Sequence, residues 1–347
     1  MRPNRRAVLS CGFAAAGLGA AGLVGLRAGA SLHGGDEPAR ITVDATPIAS
    51  FLEISPDRTR FGDWAFRSGL VLSSGAAGFG GLSGLWRHAD GIGLVALTDN
   101  AQWLTAELAY SGGRLSGLSS AALAPILGED GVPLRRTRAY DTEGLAITGE
   151  GIAYVGIERV HEVRRFDWAR DGVQARGVAL PMPAETRDLP ANGSFEAVAV
   201  APPGHPLAGA VLAIAEEARS GEAAPTRGWV LTGPHRFEFE VARSSDFDIT
   251  DAAFLPSGEM LLLERRYSPA RGVACRMRRI AADAIRPGAT IDGGIIFEAD
   301  GTSVIDNMEG MALHRDAATG ATVVTLVSDD NFSPLQRTVL LEFALLV

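Results

Sequence analysis

Lysine is absent from the sequence, so all 32 basic residues of the 347-residue chain are arginines. Any mechanism that depends on a lysine amine, such as a Schiff base with a carbonyl substrate, is therefore excluded. Cysteine is almost as scarce, because only Cys11 and Cys275 occur. If the N-terminal segment is cleaved, Cys275 alone remains, and the mature chain can form no intrachain disulfide.

Acidic residues outnumber basic ones by 41 to 32, which gives a net charge of −9. The first 30 residues carry four arginines and no acid, so the rest of the chain has a net charge near −13. A negative balance of this size argues against nucleic acid or an anionic membrane surface as a partner. The six histidines show no short spacing typical of metal ligands, so a histidine-bound metal is not expected.

The N-terminal segment has the three parts of an export signal. Arg5 and Arg6 form a basic start, residues 7–26 are uncharged and apolar, and residues 28–30 are the small Ala-Gly-Ala. The adjacent arginines and the glycine-rich apolar run favour the twin-arginine route. We expect residues 1–30 to be removed after passage through the twin-arginine export machinery, which places the mature chain in a bacterial periplasm or outside the cell. An uncleaved membrane anchor is the alternative.

Short apolar runs dominate the rest of the sequence, and long helical periodicity is almost absent after residue 30. The runs are rich in Val, Ile, Leu and Phe and are broken by Gly, Pro and Asp, which is the pattern of many short strands. Clear examples are residues 93–98, 152–157, 210–215, 259–264 and 321–328. An all-β fold is predicted.

One signature recurs at a nearly fixed spacing. Each copy begins with a polar residue and continues with a small residue and a short apolar run. The five copies begin at Ser83, Glu143, Glu196, Asp251 and Glu309, at intervals of 53 to 60 residues. A period of this length, with four short strands in each unit, predicts the blades of a β-propeller.

Six blades are predicted, because a mature chain of about 317 residues contains about six such periods. Five blades carry the signature. The sixth would combine residues 41–73 with the C-terminal strand 338–346, so that pairing of the two chain ends closes the ring and protects its edges. A seven-bladed ring and a pair of β-sandwiches are the alternatives. We expect one propeller domain over residues 31–347 and a monomer.

A second acidic position follows each copy of the signature, at the end of the next apolar run. These residues are Asp99, Glu158, Glu216 and Glu217, Glu264, and Asp329 and Asp330. The innermost strands of a propeller line its central channel, so the first residues of the signatures should meet at one mouth. Antiparallel pairing should return the second acids to the same face.

Many carboxylates in one narrow mouth raise each other's pKa values unless a cation neutralises them. Oxygen ligands suit calcium, so we predict calcium or another divalent cation at this mouth. The predicted ligands are Asp99, Glu143, Glu158, Glu196, Glu217, Asp251, Glu264, Glu309, Asp329 and Asp330. The alternative is that the first acid of each copy only binds backbone groups at the start of its strand.

Arginines stand beside several of the second acids, as in Glu158-Arg159 and Glu264-Arg265. A guanidinium group can make planar, two-pronged contacts with a phosphate or carboxylate. Arg159 and Arg265 are therefore predicted to bind an anionic substrate, with ion pairing to the neighbouring acid as the alternative.

Five segments together resemble the phytase-like family, whose description is "esterase-like activity of phytase". They are residues 79–85 (FGGLSGL), 141–146 (DTEGLA), 194–197 (SFEA), 306–311 (DNMEGM) and 328–332 (SDDNF). The resemblance covers residues 61–343. It implies a β-propeller, secretion, and hydrolysis of phosphoesters or esters; because one fold serves many activities, it supports the fold more than the function.

The leading hypothesis is metal-assisted hydrolysis of a small anionic substrate such as a phosphoester. The predicted catalytic residues are Glu143, Glu196, Asp251 and Glu309. A non-catalytic propeller that binds a ligand or protein in a calcium-dependent manner is one alternative. A lactonase or carboxylic esterase similar to the gluconolactonase propellers is another.

Overall fold

The computed structural model describes residues 35–218, 224–244, 246–268 and 270–346, apart from the side chains of residues 217 and 218. The predicted export signal at residues 1–30 lies outside this part of the chain. The regular secondary structure of the described residues is almost entirely β-strand, with one four-residue α-helix, Trp168–Asp171. Short 3-10 helices span Leu134–Arg136, Glu158–Val160, Gly172–Gln174 and Ala184–Asp188. No helix in the described ranges is long and apolar enough to span a membrane.

The strands form five sheets, which are the blades of a β-propeller. The inner strands of blades 1 to 5 are Leu82–Arg87, Thr142–Ile147, Phe195–Val200, Asp248–Phe254 and Asn307–Arg315. Each inner strand packs against the inner strand of the next blade, and that of blade 5 packs against that of blade 1. The predicted all-β propeller is confirmed. The predicted number of six blades is wrong, because the described residues form five.

The outer strands complete each blade. Blade 1 continues with Gly93–Thr98, Gln102–Ser111, Arg114–Pro125 and Ala39–Arg40. Blade 2 continues with Ile152–Ile157, Glu162–Asp167, Arg176–Ala179 and Leu127–Gly128, and blade 3 with Val211–Ala218, Thr226–Val230, Phe237–Val241 and Thr290–Ile291. Blade 4 continues with Met260–Ser268, Gly272–Ile280 and Gly294–Asp300. Blade 5 continues with Thr322–Asp329, Thr338–Leu345, Trp64–Ser73 and Asp44–Pro47, and Arg60–Phe61 pairs with Trp64–Ser73.

The two ends of the chain meet in blade 5, and this explains the missing sixth blade. Thr338–Leu345 pairs with Trp64–Ser73, so that Leu341 lies opposite Gly69. The same strand also pairs with Thr322–Asp329 and is therefore the third strand of the fifth repeat. The N-terminal strands cover the open edge of this blade and form no blade of their own. Dividing the chain length by the repeat period counted them as one.

Apolar side chains fill the spaces between neighbouring blades. Phe51 contacts four other phenylalanines at ring-centroid distances of 4.8 to 6.0 Å, in a cluster that spans blades 4 and 5. The free thiol of Cys275 is buried in the same cluster. Burial of apolar surface on both faces of each sheet holds the ring together. The polar residues of the inner strands are therefore not needed for this packing and can line the centre of the ring.

Candidate functional site

A β-bulge interrupts the inner strand of every blade at the signature. In blade 5, Met308 lies opposite Ser328 and Gly310 lies opposite Val327, which leaves Glu309 as the extra residue. Glu196 is the extra residue of blade 3 in the same way. A bulge changes the direction of its side chain relative to a regular strand. The bulge residue therefore points into the centre of the ring, which we call the funnel.

Blade 4 departs from the predicted alignment by one residue. Ile249 lies opposite Glu264 and Asp251 lies opposite Leu263, so Thr250 is the bulge residue. The residue that follows Glu264 is Arg265, and it therefore takes the place that the second acid occupies in the other blades. A shift of one residue moves a strand side chain to the opposite face of the sheet.

We call the bulge residue and the second-strand residue of each blade the funnel ring. In blade order its ten members are Ser83 and Asp99, Glu143 and Glu158, Glu196 and Glu216, Thr250 and Arg265, and Glu309 and Asp329. Seven of them are carboxylates, two are hydroxyls and one is a guanidinium. When every group is ionised, the ring carries six more negative than positive charges.

Two groups of carboxylates within the ring lie close enough together to share a cation. The first group consists of Glu143, Glu196 and Glu309, which all are buried and offer oxygens within 4.8 Å of one another. The second group consists of Glu158, Glu196 and Glu216, within the same distance. Glu196 belongs to both groups. The first group thus brings together residues from blades 2, 3 and 5 that are more than fifty positions apart in the sequence.

Burial and mutual repulsion raise the pKa values of the first group. Burial is the main cause for Glu143, and the charges of Asp99 and Glu309 add to it. The pKa of Glu196 is raised well above its usual value by burial and then by the charge of Glu143. The rise is opposed at Glu309, where Arg265 and a 2.6 Å hydrogen bond from Asn307 favour the ionised form. The carboxylates of the metal-free first group therefore bind protons more tightly than ordinary glutamates do.

The remaining acids of the ring behave in the same way. Burial raises the pKa values of Glu158 and Glu216 to about 7, although backbone N–H groups at Glu158 and the Arg265 guanidinium at Glu216 oppose the rise. Burial and the charge of Glu309 raise the pKa of Asp329 to about 10. Asp99 accepts a 2.9 Å hydrogen bond from Ser83, and its pKa is also raised, mainly by burial.

Both predicted substrate-binding arginines are ion-paired. Arg265 lies between the two groups, with Nη2 3.1 Å from Glu216 Oε1 and Nε 3.0 Å from Glu309 Oε1. Arg159 Nε lies 2.5 Å from Asp141 Oδ2, and its guanidinium stacks 4.8 Å from the centroid of the Tyr140 ring. Arg265 is therefore the member of this pair that lies inside the funnel ring.

A family model described as "Phytase-like: Esterase-like activity of phytase" matches residues 77–332. The chain belongs to the phytase-like family. The match includes the inner strands of all five blades and every member of the funnel ring, which runs from Ser83 to Asp329. No curated protein matches this phytase-like chain.

One solved structure similar to the phytase-like chain is described as a putative oxidoreductase (glucose dehydrogenase) from Thermus thermophilus. The sequences are 14% identical, and the match covers 80% of this chain and 90% of that chain with a TM-score of 0.31. A likeness this low carries no argument about blade number or activity.

Asp251, a predicted catalytic and metal-binding residue, lies outside both carboxylate groups of the phytase-like chain. Its carboxylate accepts hydrogen bonds from the backbone N–H groups of Ala252, at 2.8 Å, and Met311, at 2.7 Å. Asp251 thus joins blade 4 to blade 5. Gly84, Gly144 and Gly310 hold the equivalent place in blades 1, 2 and 5, where a Cβ atom would collide with the neighbouring inner strand.

The other acids predicted as ligands are placed as follows. Glu264 is buried and binds Arg276 Nε at 2.6 Å and Arg278 Nη2 at 2.7 Å, outside the funnel. Asp330 accepts hydrogen bonds from the Gly81 N–H and the Thr338 hydroxyl, each at 2.9 Å. The side chain of Glu217 lies outside the described residues. Their metal-binding roles stay predictions, but the contacts of Glu264 and Asp330 are those of acids that stabilise the fold.

Sequence reasoning missed two features of the site. One is Thr250, which shows no charge and gave no signal in the repeat. The other is a contact of 3.0 Å between His161 Nδ1 and Ser194 Oγ at the edge of the funnel. Ser194 has no exposed surface, so this pair forms part of the wall that holds Glu158, whose carboxylate binds the Gly193 N–H.

Proposed function

We propose that this member of the phytase-like family is an exported hydrolase that cleaves phosphoesters of small anionic substrates with the help of a divalent cation in the funnel. The observation that carries the proposal is the convergence of Glu143, Glu196 and Glu309, buried and within 4.8 Å of one another. A buried cluster of this kind costs free energy unless a cation or protons compensate it. The family description, which names an esterase-like activity, and the arginine pair near the N-terminus support hydrolysis and export.

The donor set of the funnel fits a hard divalent cation. Every ligand atom in the two groups is a carboxylate oxygen, and neither group contains histidine or cysteine. Calcium accepts six to eight oxygen ligands and tolerates irregular geometry, whereas zinc favours nitrogen and sulfur. Glu143, Glu196 and Glu309 would hold one ion, and Glu158 and Glu216 would join Glu196 at a second. When bound, such an ion neutralises phosphoryl oxygens and lowers the pKa of a water molecule.

The chain's own residues would bind the substrate and move the proton. Arg265 and Arg159 would contact the anionic group from two sides, because guanidinium groups match phosphate geometry. When only the first group holds an ion, Glu158 would hold or release a proton near neutral pH, since burial raises its pKa to about 7. The N–H groups of Gly193 and Ser194, which bind its carboxylate, would keep it oriented.

Hydrolysis of a carboxylic ester or lactone is the second candidate function. The family description favours it by naming an esterase-like activity. The same carboxylates and arginines would then act on a carbonyl oxygen in place of a phosphoryl oxygen. Asp251 has no place in either proposal, because both of its oxygens bind backbone N–H groups.

The test is a hydrolysis assay with purified mature protein, with EDTA, calcium or manganese, across pH 5 to 9. Substrates would be phytate, p-nitrophenyl phosphate, p-nitrophenyl acetate and a simple lactone. We expect phosphate release that EDTA abolishes, and a loss of about 100-fold or more in Glu143→Gln. Glu107→Gln is the matched control, because Glu107 is exposed on an outer strand of blade 1.

Turnover of the acetate or lactone without phosphate release would select the second candidate. Calcium-dependent thermal stabilisation without turnover of any of these substrates would leave a binding propeller in place of an enzyme.

A further inference from the structure

Blade 4 supplies the one basic side chain of the funnel ring. At the second-strand position the other blades carry Asp99, Glu158, Glu216 and Asp329, and blade 4 carries Arg265. Because the bulge residue of blade 4 is also uncharged, this blade adds a positive charge to a ring that is otherwise acidic.

The guanidinium of Arg265 touches both candidate metal-binding groups. Its Nε lies 3.0 Å from Glu309, a member of the first group, and its Nη2 lies 3.1 Å from Glu216, a member of the second. A divalent ion bound at either group would therefore share a carboxylate with this guanidinium. Two cations at such short distances repel each other, so the ion and Arg265 compete for the same negative charge.

Arg265 makes fewer hydrogen bonds than Arg276 and Arg278, the buried arginines of its blade, although the charges of Glu216 and Glu309 attract it. Among the described residues its guanidinium donates one hydrogen bond, to Glu216, and its Nε–H is not aimed at any acceptor although Glu309 is near. Arg278, in contrast, binds Glu264 through Nε at 2.9 Å and Nη2 at 2.7 Å. A guanidinium has five N–H donors. The side chain of Arg265 is also 23% exposed, so its unused donors could reach an anion once the neighbouring carboxylates are bound to an ion.

We propose that the Arg265 guanidinium acts as the counter-ion of the carboxylates in the metal-free site and that a divalent ion displaces it. The released guanidinium then binds the anionic group of the substrate. The inference rests on the metal site of the proposed function and adds a coupling between its two ligands. In the metal-free protein Arg265 neutralises part of the acidic cluster and is unavailable to the substrate. Metal binding would release it. By linkage, an anion that binds the released guanidinium must tighten metal binding by the same factor.

Calorimetric titration of calcium into EDTA-treated mature protein tests this coupling, with and without inorganic phosphate at a concentration too low to precipitate calcium. In the wild type we expect phosphate to tighten calcium binding by about fivefold or more, within the usual range of couplings between sites. In Arg265→Gln we expect calcium to bind about tenfold more tightly without phosphate, because the competing cation is gone, and phosphate to have no further effect. Arg170→Gln is the charge-matched control, because Arg170 is exposed on the short helix that follows the third strand of blade 2.

Calcium binding that is unchanged or weaker in a folded Arg265→Gln, or a phosphate effect that persists in it, would overturn the proposal. If this variant does not fold, the wild-type titration decides, and a calcium affinity that is independent of phosphate overturns the proposal. Calcium binding in Arg265→Gln but not in the wild type supports it, whereas binding in neither overturns it. These readouts are affinities, so a protein with the coupling but no turnover would refute the proposed hydrolysis alone.

Discussion

Blades 4 and 5 have the same backbone at the funnel but use their acids in opposite ways. Blade 5 places Glu309 on the bulge, where it meets carboxylates from two other blades. Blade 4 places Thr250 on its bulge, and its acids Asp251 and Glu264 stand one residue away from the ring positions. Because strand side chains alternate between faces, this offset of one residue decides whether an acid lines the funnel or binds donors within the folded sheets.

The two sets of acids differ accordingly in their partners. These two acids of blade 4 are matched by donors, since Asp251 binds two backbone N–H groups and Glu264 binds two arginines. Burial raises the pKa of Asp251 as well, but its two backbone N–H donors oppose the rise. At Glu143 and Glu196 in the funnel, the charges of neighbouring carboxylates add to the rise caused by burial. Acids of the first kind should stabilise the metal-free protein, and acids of the second kind should destabilise it until a cation binds.

The largest contrast is expected between Glu264→Gln and Glu196→Gln. Loss of the Glu264 charge leaves the buried guanidinium of Arg276 without an anion and leaves Arg278 only the exposed Asp292, 2.8 Å from its Nη1. We expect this to cost about 3–5 kcal/mol of unfolding free energy. Loss of the Glu196 charge removes a buried group that repels its neighbours, so the metal-free variant should be at least as stable as the wild type. Urea unfolding in EDTA measures both. A Glu196→Gln protein that is destabilised as much as Glu264→Gln would contradict the contrast.

The free energy of unfolding should depend on pH, because ionisation of the buried funnel acids is unfavourable. The pKa values of Glu158 and Glu216 are raised to about 7 in the folded protein from about 4.5, so the folded state binds protons more tightly than the unfolded state. Their stabilising contribution is complete below pH 4.5 and is lost as the pH rises through 7. At about 1.4 kcal/mol for each pKa unit, we expect each group to lose about 2.5 kcal/mol between pH 5 and pH 8 in EDTA, or about 5 kcal/mol for the two together.

Calcium should flatten or reverse this trend, because it replaces the lost protons with a bound positive charge. Thermal unfolding in EDTA and in calcium, at pH 5, 6, 7 and 8, provides the comparison. A midpoint that does not change with pH in EDTA, or that falls equally steeply in calcium, would show that the funnel acids neither hold protons nor bind the ion.

The repeat predicted the fold well because propeller blades leave a strong trace in the sequence. All five predicted apolar runs fall on the second strands of blades, from Gly93–Thr98 to Thr322–Asp329. The blade number was not predictable from the period alone. Whether the N-terminal strands form a new blade or complete the last one depends on pairing between Trp64–Ser73 and Thr338–Leu345, which are far apart in the sequence.

The site was predictable only where the position of the bulge was visible. Glu143 and Glu309 precede a glycine, and the neighbouring strand packs against that glycine, so the signature marked their place correctly. In blade 4 the intervals did not distinguish Thr250 from Asp251, because either choice keeps the spacing between 53 and 60 residues. The same one-residue difference in alignment decides whether Glu264 or Arg265 faces the funnel. The prediction chose Asp251 because it is acidic, like the first residue of most other copies. The strand pairing in the structure instead leaves Thr250 as the bulge residue.

The smallest predicted effect separates Asp251 from the funnel acids. Asp251→Ala leaves the buried N–H of Met311 without its acceptor at 2.7 Å, which should lower the unfolding free energy by about 2 kcal/mol. Asp251→Asn keeps one carbonyl acceptor, so it should lose less. Because both carboxylate oxygens bind backbone groups of blades 4 and 5, neither variant should change the calcium affinity by more than about twofold. Calorimetric titration of calcium into both variants, beside Glu309→Gln as the funnel counterpart, is the measurement. A calcium affinity that falls as far in Asp251→Asn as in Glu309→Gln would return Asp251 to the metal site and would mean that the bulge register does not separate the two kinds of acid.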